Sequence, residues 1–140
     1  MGREFNIDVS FNDIPAELNY YRLAGLFTGY KTFEDPERTE ISRRQLSFTK
    51  ELFTDKEAGS ASKIKSSAGL GQSFTNYDSA FIKIYLLNTE KSYYLYHKSL
   101  EDYNSGEDPF SEVTPVYSNI VGGIGIFTSF NIDSLIHRLK

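Results

Sequence analysis

The 140-residue chain is long enough for a single domain whose core needs neither a disulfide nor a metal ion. Apolar residues make up 39% of it and charged residues 24%, as in ordinary globular proteins, and the aromatic share of 15% favours strands. The net charge of −4 argues against a protein that binds a nucleic-acid backbone. The absence of cysteine excludes thiol nucleophiles, disulfides and thiolate zinc sites, and no stretch is apolar for the roughly 18 residues of a membrane span. We therefore expect a soluble, β-rich domain.

Alternating or continuous runs of apolar residues predict six strands. They cover residues 4–11, 18–32, 41–53, 63–70, 81–87 and 124–132. Residues 113–120 are also extended, but Pro115 limits their pairing because proline has no N–H to donate. Residues 134–140 fit either a short strand or a helical turn, so the strand count is six or seven.

The second predicted strand, 18–32, combines an apolar face with two glycines. Its inward residues are Tyr21, Leu23 and Phe27. Gly25 and Gly29 lie inside the strand and indicate a bulge or a sharp bend. An acidic loop that contains a proline is predicted to follow at 33–39.

Two later strands differ in how they bury their side chains. The strand 41–53 alternates, with its apolar face formed by Leu46, Phe48 and Leu52. The strand 81–87 is apolar on both faces apart from Lys83, which places it in the centre of the sheet.

The apolar period changes after residue 88 and predicts one helix over residues 89–104. Asn88 or Thr89 can cap its start, and the sequence Asn-Ser-Gly at 104–106 ends it. Residues spaced three and four apart form one face: Tyr93, Tyr96, His97, Leu100 and Tyr103. We expect that face to pack on the sheet as part of the core. Tyr94 lies off it and is expected to be the most exposed of these tyrosines.

These elements predict a mainly β fold in one domain that spans residues 1–140. The sheet is expected to be antiparallel and curved, forming a partly open barrel or sandwich of six to seven strands. Short links between successive strands favour a meander, with the single helix plugging an open side.

The glycines at positions 122, 123 and 125 resemble a phosphate-binding loop only superficially. Such a loop needs a following helix and usually a lysine, whereas here an apolar strand follows and no basic residue is near. Gly122, Gly123 and Gly125 are therefore interpreted as an architectural hinge, in which Asn119 caps the turn by bonding nearby backbone groups. Valine at position 123 is expected to be destabilising if the φ angle there is positive.

No strong metal site is visible, and folding is expected to need no metal. His97 and His137 are the only histidines, and their spacing matches no zinc motif. A weaker alternative is calcium binding in the 102–112 segment, where hard oxygen donors surround a glycine. Its candidate ligands are Asp102, Asn104, Glu107 and Asp108.

Enzymatic function is not expected, because no activated nucleophile, acid–base pair or Gly-x-Ser-x-Gly motif is present. No cofactor is expected either. Exposed tyrosine rings can stack on a flat ligand or a partner. Tyr94 and Tyr20 are the weak candidates for such a contact.

Three segments together resemble a known family. They are Asp13–Pro15 with Asn19–Leu23, then Tyr93–Leu100, and then Pro109–Glu112 leading into Val116–Phe127. This combination is similar to the C-terminal half of the Bacteroidetes lipoproteins grouped as domain of unknown function 4249. Tyr93, Tyr96, Asn119, Gly122, Gly123, Gly125 and Phe127 belong to the resembling segments, and each also has a plain structural interpretation.

The resemblance implies that the chain is a C-terminal part of a longer, outer-membrane-anchored lipoprotein of the periplasm or cell surface. Genes of such proteins tend to lie beside TonB-dependent outer-membrane receptors, and the family has no established activity. We therefore expect a non-enzymatic accessory domain that binds an outer-membrane transporter or its substrate. The alternative is a small-ligand carrier with a Phe/Tyr-lined pocket inside the curved sheet.

Overall fold

The computed structural model describes residues 5–13, 16–57, 63–70, 74–105 and 115–140. These residues form seven strands, one α-helix and a short 3-10 turn at Phe74–Asn76. The strands are β1 (Phe5–Asn12), β2 (Tyr20–Glu34), β3 (Glu37–Leu46), β4 (Leu52–Thr54), β5 (Lys63–Leu70), β6 (Ser79–Thr89) and β7 (Phe130–Arg138). The helix α1 spans Lys91–Ser105. Among the described residues, no helix is both long enough and apolar enough to cross a membrane.

The strands form two antiparallel sheets that pack as an open sandwich. One sheet has five strands in the order β3-β2-β6-β7, with β4 pairing beside β3 on β2, and the other consists of β1 and β5. This confirms the predicted mainly β class with one helix before the last strand. The predicted meander is wrong, because β1 pairs with β5 and β2 pairs with β6.

A single apolar core lies between the two sheets. The five-stranded sheet contributes alternate residues of β2 and β6, and the two-stranded sheet contributes those of β1 and β5. The largest fully buried side chains are Leu23, Phe27, Ile64 and Leu70. At one end of the core the rings of Phe11, Tyr21 and Phe53 meet, with the Phe11 and Tyr21 centroids 5.0 Å apart. The inward face predicted for the second strand is thereby confirmed.

The strand predicted at 41–53 is broken in two, as β3 and β4. Residues 47–50 leave β2 and approach β5 instead: Phe48 bridges to Ala68, and the Thr49 N–H donates to the Ser67 carbonyl at 2.8 Å. The Glu51 carboxylate accepts from the Phe48 N–H at 3.0 Å, which stabilises the turn. The break joins the two layers of the sandwich and keeps Phe48 in the core.

The expected bulge at Gly25 and Gly29 is absent from β2, whose pairing with β3 and β6 runs without a shift in register. These glycines instead leave room for side chains that cross the strand, since a Cβ at Gly25 would lie 2.9 Å from atoms of Leu46 and Phe48. The prediction of an acidic loop at 33–39 is also wrong. Strand pairing continues to Glu34 and Glu37, and the turn between them is the cis Asp35–Pro36 pair.

The last strand begins later than predicted. β6 does lie in the centre of the sheet, between β2 and β7. The outer strand β7 covers Phe130–Arg138, so most of the predicted 124–132 strand lies outside it and the ambiguous 134–140 segment is mostly strand. The apolar alternation at 124–130 therefore does not reflect pairing in the sheet.

The helix is confirmed, but its predicted core face is wrong. None of the residues from Ser92 to Leu100 is fully buried, and Tyr103 is 52% exposed. The reason is the placement of α1, which lies beside β4 and the beginning of β2 rather than over the middle of the sheet. There the Tyr94 ring, expected to be the most exposed, is half-buried against Tyr20.

Candidate binding surface at the tip loop

The glycine turn forms a loop, here called the tip loop (residues 118–127), that is closed by side-chain hydrogen bonds. Asn119 accepts from the Phe127 N–H through Oδ1 and donates to the Phe127 carbonyl through Nδ2, both at 2.8 Å. Its backbone N–H also donates to the Gly125 carbonyl at 3.3 Å. The amide side chain thus pairs with the backbone as a strand residue would. The predicted capping role of Asn119 is confirmed.

Ser118 makes a second set of bonds across the same loop, which the sequence did not reveal. Its Oγ lies 2.9 Å from the Gly125 carbonyl oxygen and accepts from the Gly125 N–H at 3.2 Å. It also accepts from the Ile120 N–H at 3.3 Å. Ser118 and Asn119 therefore fix both ends of the glycine segment. Serine commonly bonds nearby backbone in this way, but one sequence alone does not distinguish it from the many other serines.

At two of the three glycines in the tip loop, the backbone conformation requires a residue without a side chain. Gly122 has φ = +79° and Gly125 has φ = +144°, a region that L-residues rarely adopt. Gly123 is not in that region, so the condition for a strained backbone in Gly123→Val is not met. The turn therefore places its conformational requirement on Gly122 and Gly125, and the purely architectural interpretation of this segment stays a prediction.

Replacing Gly122 with valine is expected to lower the free energy of unfolding by about 1–2 kcal/mol. The cost comes from the backbone alone, since a Cβ at Gly122 would meet no atom within 4 Å. Chemical denaturation measures it, with Gly122→Asn as the control because asparagine tolerates this conformation. Equal stability of the valine and asparagine variants would contradict the expectation.

The tip loop exposes apolar side chains rather than burying them. Val121 is 102% exposed, Ile124 86% and Phe127 87%, and Ile120 is also exposed. No charged residue occurs between Pro115 and Phe130. A loop that is held by internal hydrogen bonds and still presents large apolar groups to solvent is typical of a binding surface.

Hydrogen bonds tie the segments beside the tip loop to the start of α1. The Glu90 carboxylate accepts from the Ser129 hydroxyl at 2.6 Å, and Ser92 donates to the Thr128 hydroxyl at 2.9 Å. The hydrogen bond from Ser129 is the main cause that holds the pKa of Glu90 below its ordinary value. On the other side, the Tyr117 N–H donates to the Ser99 hydroxyl at 2.8 Å. The loop is thus anchored to the helix on both sides.

The two tyrosines proposed as contacts lie together at the other side of the helix. The rings of Tyr20 and Tyr94 are 5.2 Å apart, and the Tyr94 hydroxyl donates to the Glu57 carboxylate at 2.8 Å. Burial, followed by that hydrogen bond and the negative charge of Glu57, raises the pKa of Tyr94 to about 12. The hydroxyl therefore stays protonated and holds the helix to the turn after β4.

The remaining helix residues of the resembling segments pack among aromatic rings. The His97 ring lies 4.3 Å from that of Tyr93 and 5.3 Å from that of Tyr96, and Tyr93 also meets Phe130 of β7. Partial burial, with a smaller contribution from the positive charge of Arg22, lowers the pKa of His97. His97 is therefore mainly neutral near pH 7, in line with its packing role.

Three grooves in the described surface bear on the carrier alternative. The largest, about 590 Å³, opens between β1 and the β6–β7 pair. Its walls include the apolar residues Val9, Phe11, Ile84, Leu86 and Leu135 and the carboxylates of Asp8 and Asp133. None of these three grooves has a tyrosine in its walls, so the expected Phe/Tyr lining is represented only by Phe11 in the largest and by Phe48 and Phe53 in another.

Part of the calcium hypothesis lies outside the described residues. Glu107, Asp108 and Glu112 are among residues 106–114, and the structure gives no account of them. Within the described ranges, no group of three histidine, aspartate or glutamate side chains is close enough together to hold a metal ion.

Comparisons with known proteins place the chain in a family. No curated protein and no solved structure matches it. A family model, described as domain of unknown function (DUF4249), matches residues 2–136, nearly the whole chain and all the segments that carry the resemblance. Because this match covers well over half of the chain, the chain belongs to the DUF4249 family.

Proposed function

We propose that this domain is a non-enzymatic binding module of a periplasmic or surface lipoprotein, and that it binds an outer-membrane transporter of the TonB-dependent type through the tip loop. The observation that carries the proposal is the exposure of Val121, Ile124 and Phe127 on a loop held in place by Ser118 and Asn119. The lipoprotein and the transporter come from the resemblance alone.

The chemistry of the tip loop suits a protein partner. Aromatic and branched apolar side chains dominate the energetics of protein interfaces, and their contribution is greatest when no charge must be desolvated with them. The loop has such side chains and no charged residue. Because its backbone is already ordered by hydrogen bonds, binding costs little conformational entropy.

A triple variant tests this function: Val121→Ser, Ile124→Ser and Phe127→Ser. We expect its affinity for the receptor encoded by the neighbouring gene to fall by a factor of about 100 or more, because each large apolar side chain lost from an interface core commonly costs over 1 kcal/mol. Its melting temperature should change little, since all three side chains are exposed in the free domain. Affinity is measured by titration of the two purified proteins.

Ile41→Ser is the matched control, because Ile41 is also an exposed apolar residue but lies on β3. It should bind the receptor as the wild type does. Unchanged affinity in the triple variant, or an equal loss in the control, would contradict the proposal.

The carrier function has one specific observation in its favour, the groove of about 590 Å³ between β1 and the β6–β7 pair. Its apolar side chains and two carboxylates suit a small apolar molecule with a cationic group. Protection from thermal unfolding by such a molecule, lost in Leu135→Arg, would favour the carrier over the transporter-binding module.

A further inference from the structure

The outer strand β7 is exposed along its whole length. All nine residues from Phe130 to Arg138 are exposed, including Ile132, Leu135 and Ile136. β6 pairs with one edge of β7, and no strand among the described residues pairs with the other. A strand with exposed apolar side chains on both faces and unpaired backbone groups along one edge is a site where another chain can pair.

Apart from the inward-facing carboxylate of Asp133, protective features common on edge strands are absent from β7. Such strands often carry a proline, an inner lysine or a bulge that prevents pairing with another chain. β7 has no proline or lysine, and its register with β6 is continuous from Phe130 opposite Thr89 to Arg138 opposite Phe81. Its only residue with a fixed positive charge, Arg138, is at the end of the strand.

Hydrogen bonds at the two ends of β7 show which residues present their backbone to the open edge. The Ser129 carbonyl accepts from the Glu90 N–H, and the Leu139 N–H donates to the Ala80 carbonyl. The backbone N–H and C=O groups of odd-numbered residues therefore point towards β6. Because the direction of the backbone N–H and C=O groups alternates along a strand, those of the even-numbered residues point to the open edge. Consistently, the Ser134 N–H bonds only locally, to the Asp133 carboxylate at 2.8 Å.

We propose that two copies of this chain pair through the open edges of β7, antiparallel and about a two-fold axis that passes between their Ser134 residues. The two five-stranded sheets then become one continuous sheet. A two-fold axis perpendicular to the sheet keeps each face on its own side, so residues of the same parity oppose each other. The backbone groups that meet are those of the even-numbered residues, which are the ones available.

This register makes β7 complementary to itself. Ile132 lies opposite Ile136 of the second copy, and Phe130 lies opposite Arg138, where a guanidinium can stack on the ring. On the other face, Asp133 lies opposite Leu135 and Asn131 opposite His137. All nine residues find a partner, and no like charges lie directly opposite each other.

The neighbouring registers are worse. Centring the axis on Asp133 sets two carboxylates directly opposite each other, which is destabilising. Centring it on Leu135 leaves Phe130 and Asn131 beyond the end of the partner's strand. A second copy therefore fits this edge better in the Ser134-centred register than in either alternative.

Mass measurement by light scattering or sedimentation tests the pairing. The wild type should approach twice the 16.0 kDa of one chain as concentration rises. Ser134→Pro removes an N–H that faces the open edge and should raise the dissociation constant of the dimer by a factor of about ten or more. At a concentration where the wild type is monomeric, the Ser134→Pro variant should have nearly the same melting temperature as the wild type, since the Ser134 N–H does not bond to β6. A wild type that stays monomeric at its highest soluble concentration, or a proline variant that dimerises equally well, overturns the proposal.

A charge-pairing experiment tests the register itself. The variant Ile132→Lys with Ile136→Lys sets lysine opposite lysine, and the variant Ile132→Glu with Ile136→Glu sets glutamate opposite glutamate. Each alone should be monomeric, and their mixture should form a heterodimer because every lysine then faces a glutamate. A mixture that remains monomeric overturns the Ser134-centred register and with it the proposal. Receptor binding through the tip loop involves other residues, so failure of the proposed dimer would not count against the proposed function.

Discussion

Replacing Phe27 with alanine is expected to lower the free energy of unfolding by about 3–5 kcal/mol, the range found for large aromatic residues truncated in protein cores. Phe27 is 1% exposed and lies in the middle of β2, which has neighbours on both sides. Its ring meets that of Tyr77 edge-on, with centroids 5.5 Å apart. Because paired strands surround this position, the cavity left behind cannot easily collapse, and the loss should lie towards the upper end.

Denaturant unfolding followed by circular dichroism measures this loss, with Phe127→Ala as the matched control. The same side chain is removed at a position that is 87% exposed, so the control should differ from the wild type by less than about 0.5 kcal/mol. Similar losses in the two variants would show that Phe127 is buried in the folded protein, contrary to the proposed binding surface.

The sequence predicted strands and inward faces well because both depend on local alternation. Tyr21, Leu23 and Phe27 lie at odd-numbered positions on one face of β2 and are buried as expected. Strand order could not be predicted in the same way. β2 is fifteen residues long and pairs with three other strands, and nothing in its own pattern specifies that β6, rather than β1, lies beside it. Pairing depends on long-range packing, which one sequence does not display.

Local hydrogen bonding was predictable in the tip loop, whereas exposure was not. Asn119 beside a glycine turn is a recognised capping arrangement, and it was predicted. Ile124 and Phe127 alternate as strand residues do, yet they lie outside the sheet because the loop bonds to itself and to α1. The helix face was misjudged for a related reason: a pattern of apolar spacing does not show what lies opposite it.

The exposed apolar surface is concentrated in one part of the chain. Of the large hydrophobic residues that are exposed, most lie between positions 120 and 136. They are Ile120, Val121, Ile124, Phe127, Phe130, Ile132, Leu135 and Ile136. The core, by contrast, is built almost entirely from residues before position 85. This division supports a role in which the earlier strands provide stability and the final segment provides contacts.

Replacing Gly29 with alanine is expected to destabilise the fold by about 1–3 kcal/mol, the usual cost of overfilling a packed core. A Cβ at Gly29 would lie 2.6–2.8 Å from three ring carbons of Tyr77. The ring cannot simply move away, because the backbone around Tyr77 is held on both sides. On one side the Tyr77 N–H donates to the Phe74 carbonyl at 3.2 Å, and on the other the Asp78 N–H donates to the Tyr30 carbonyl at 2.8 Å.

Gly69→Ala is the matched control, since the nearest atom to its added Cβ is the Asn6 side-chain oxygen at 3.9 Å. In an open strand position alanine is favoured over glycine, so this control should be neutral or more stable by up to about 1 kcal/mol. The same gain should appear for Gly29→Ala when Tyr77→Ala is already present, because the ring that causes the clash is gone. If Gly29→Ala in the wild-type background is as stable as Gly69→Ala, Tyr77 does not pack across β2, and the contact between Phe27 and Tyr77 must be abandoned as well.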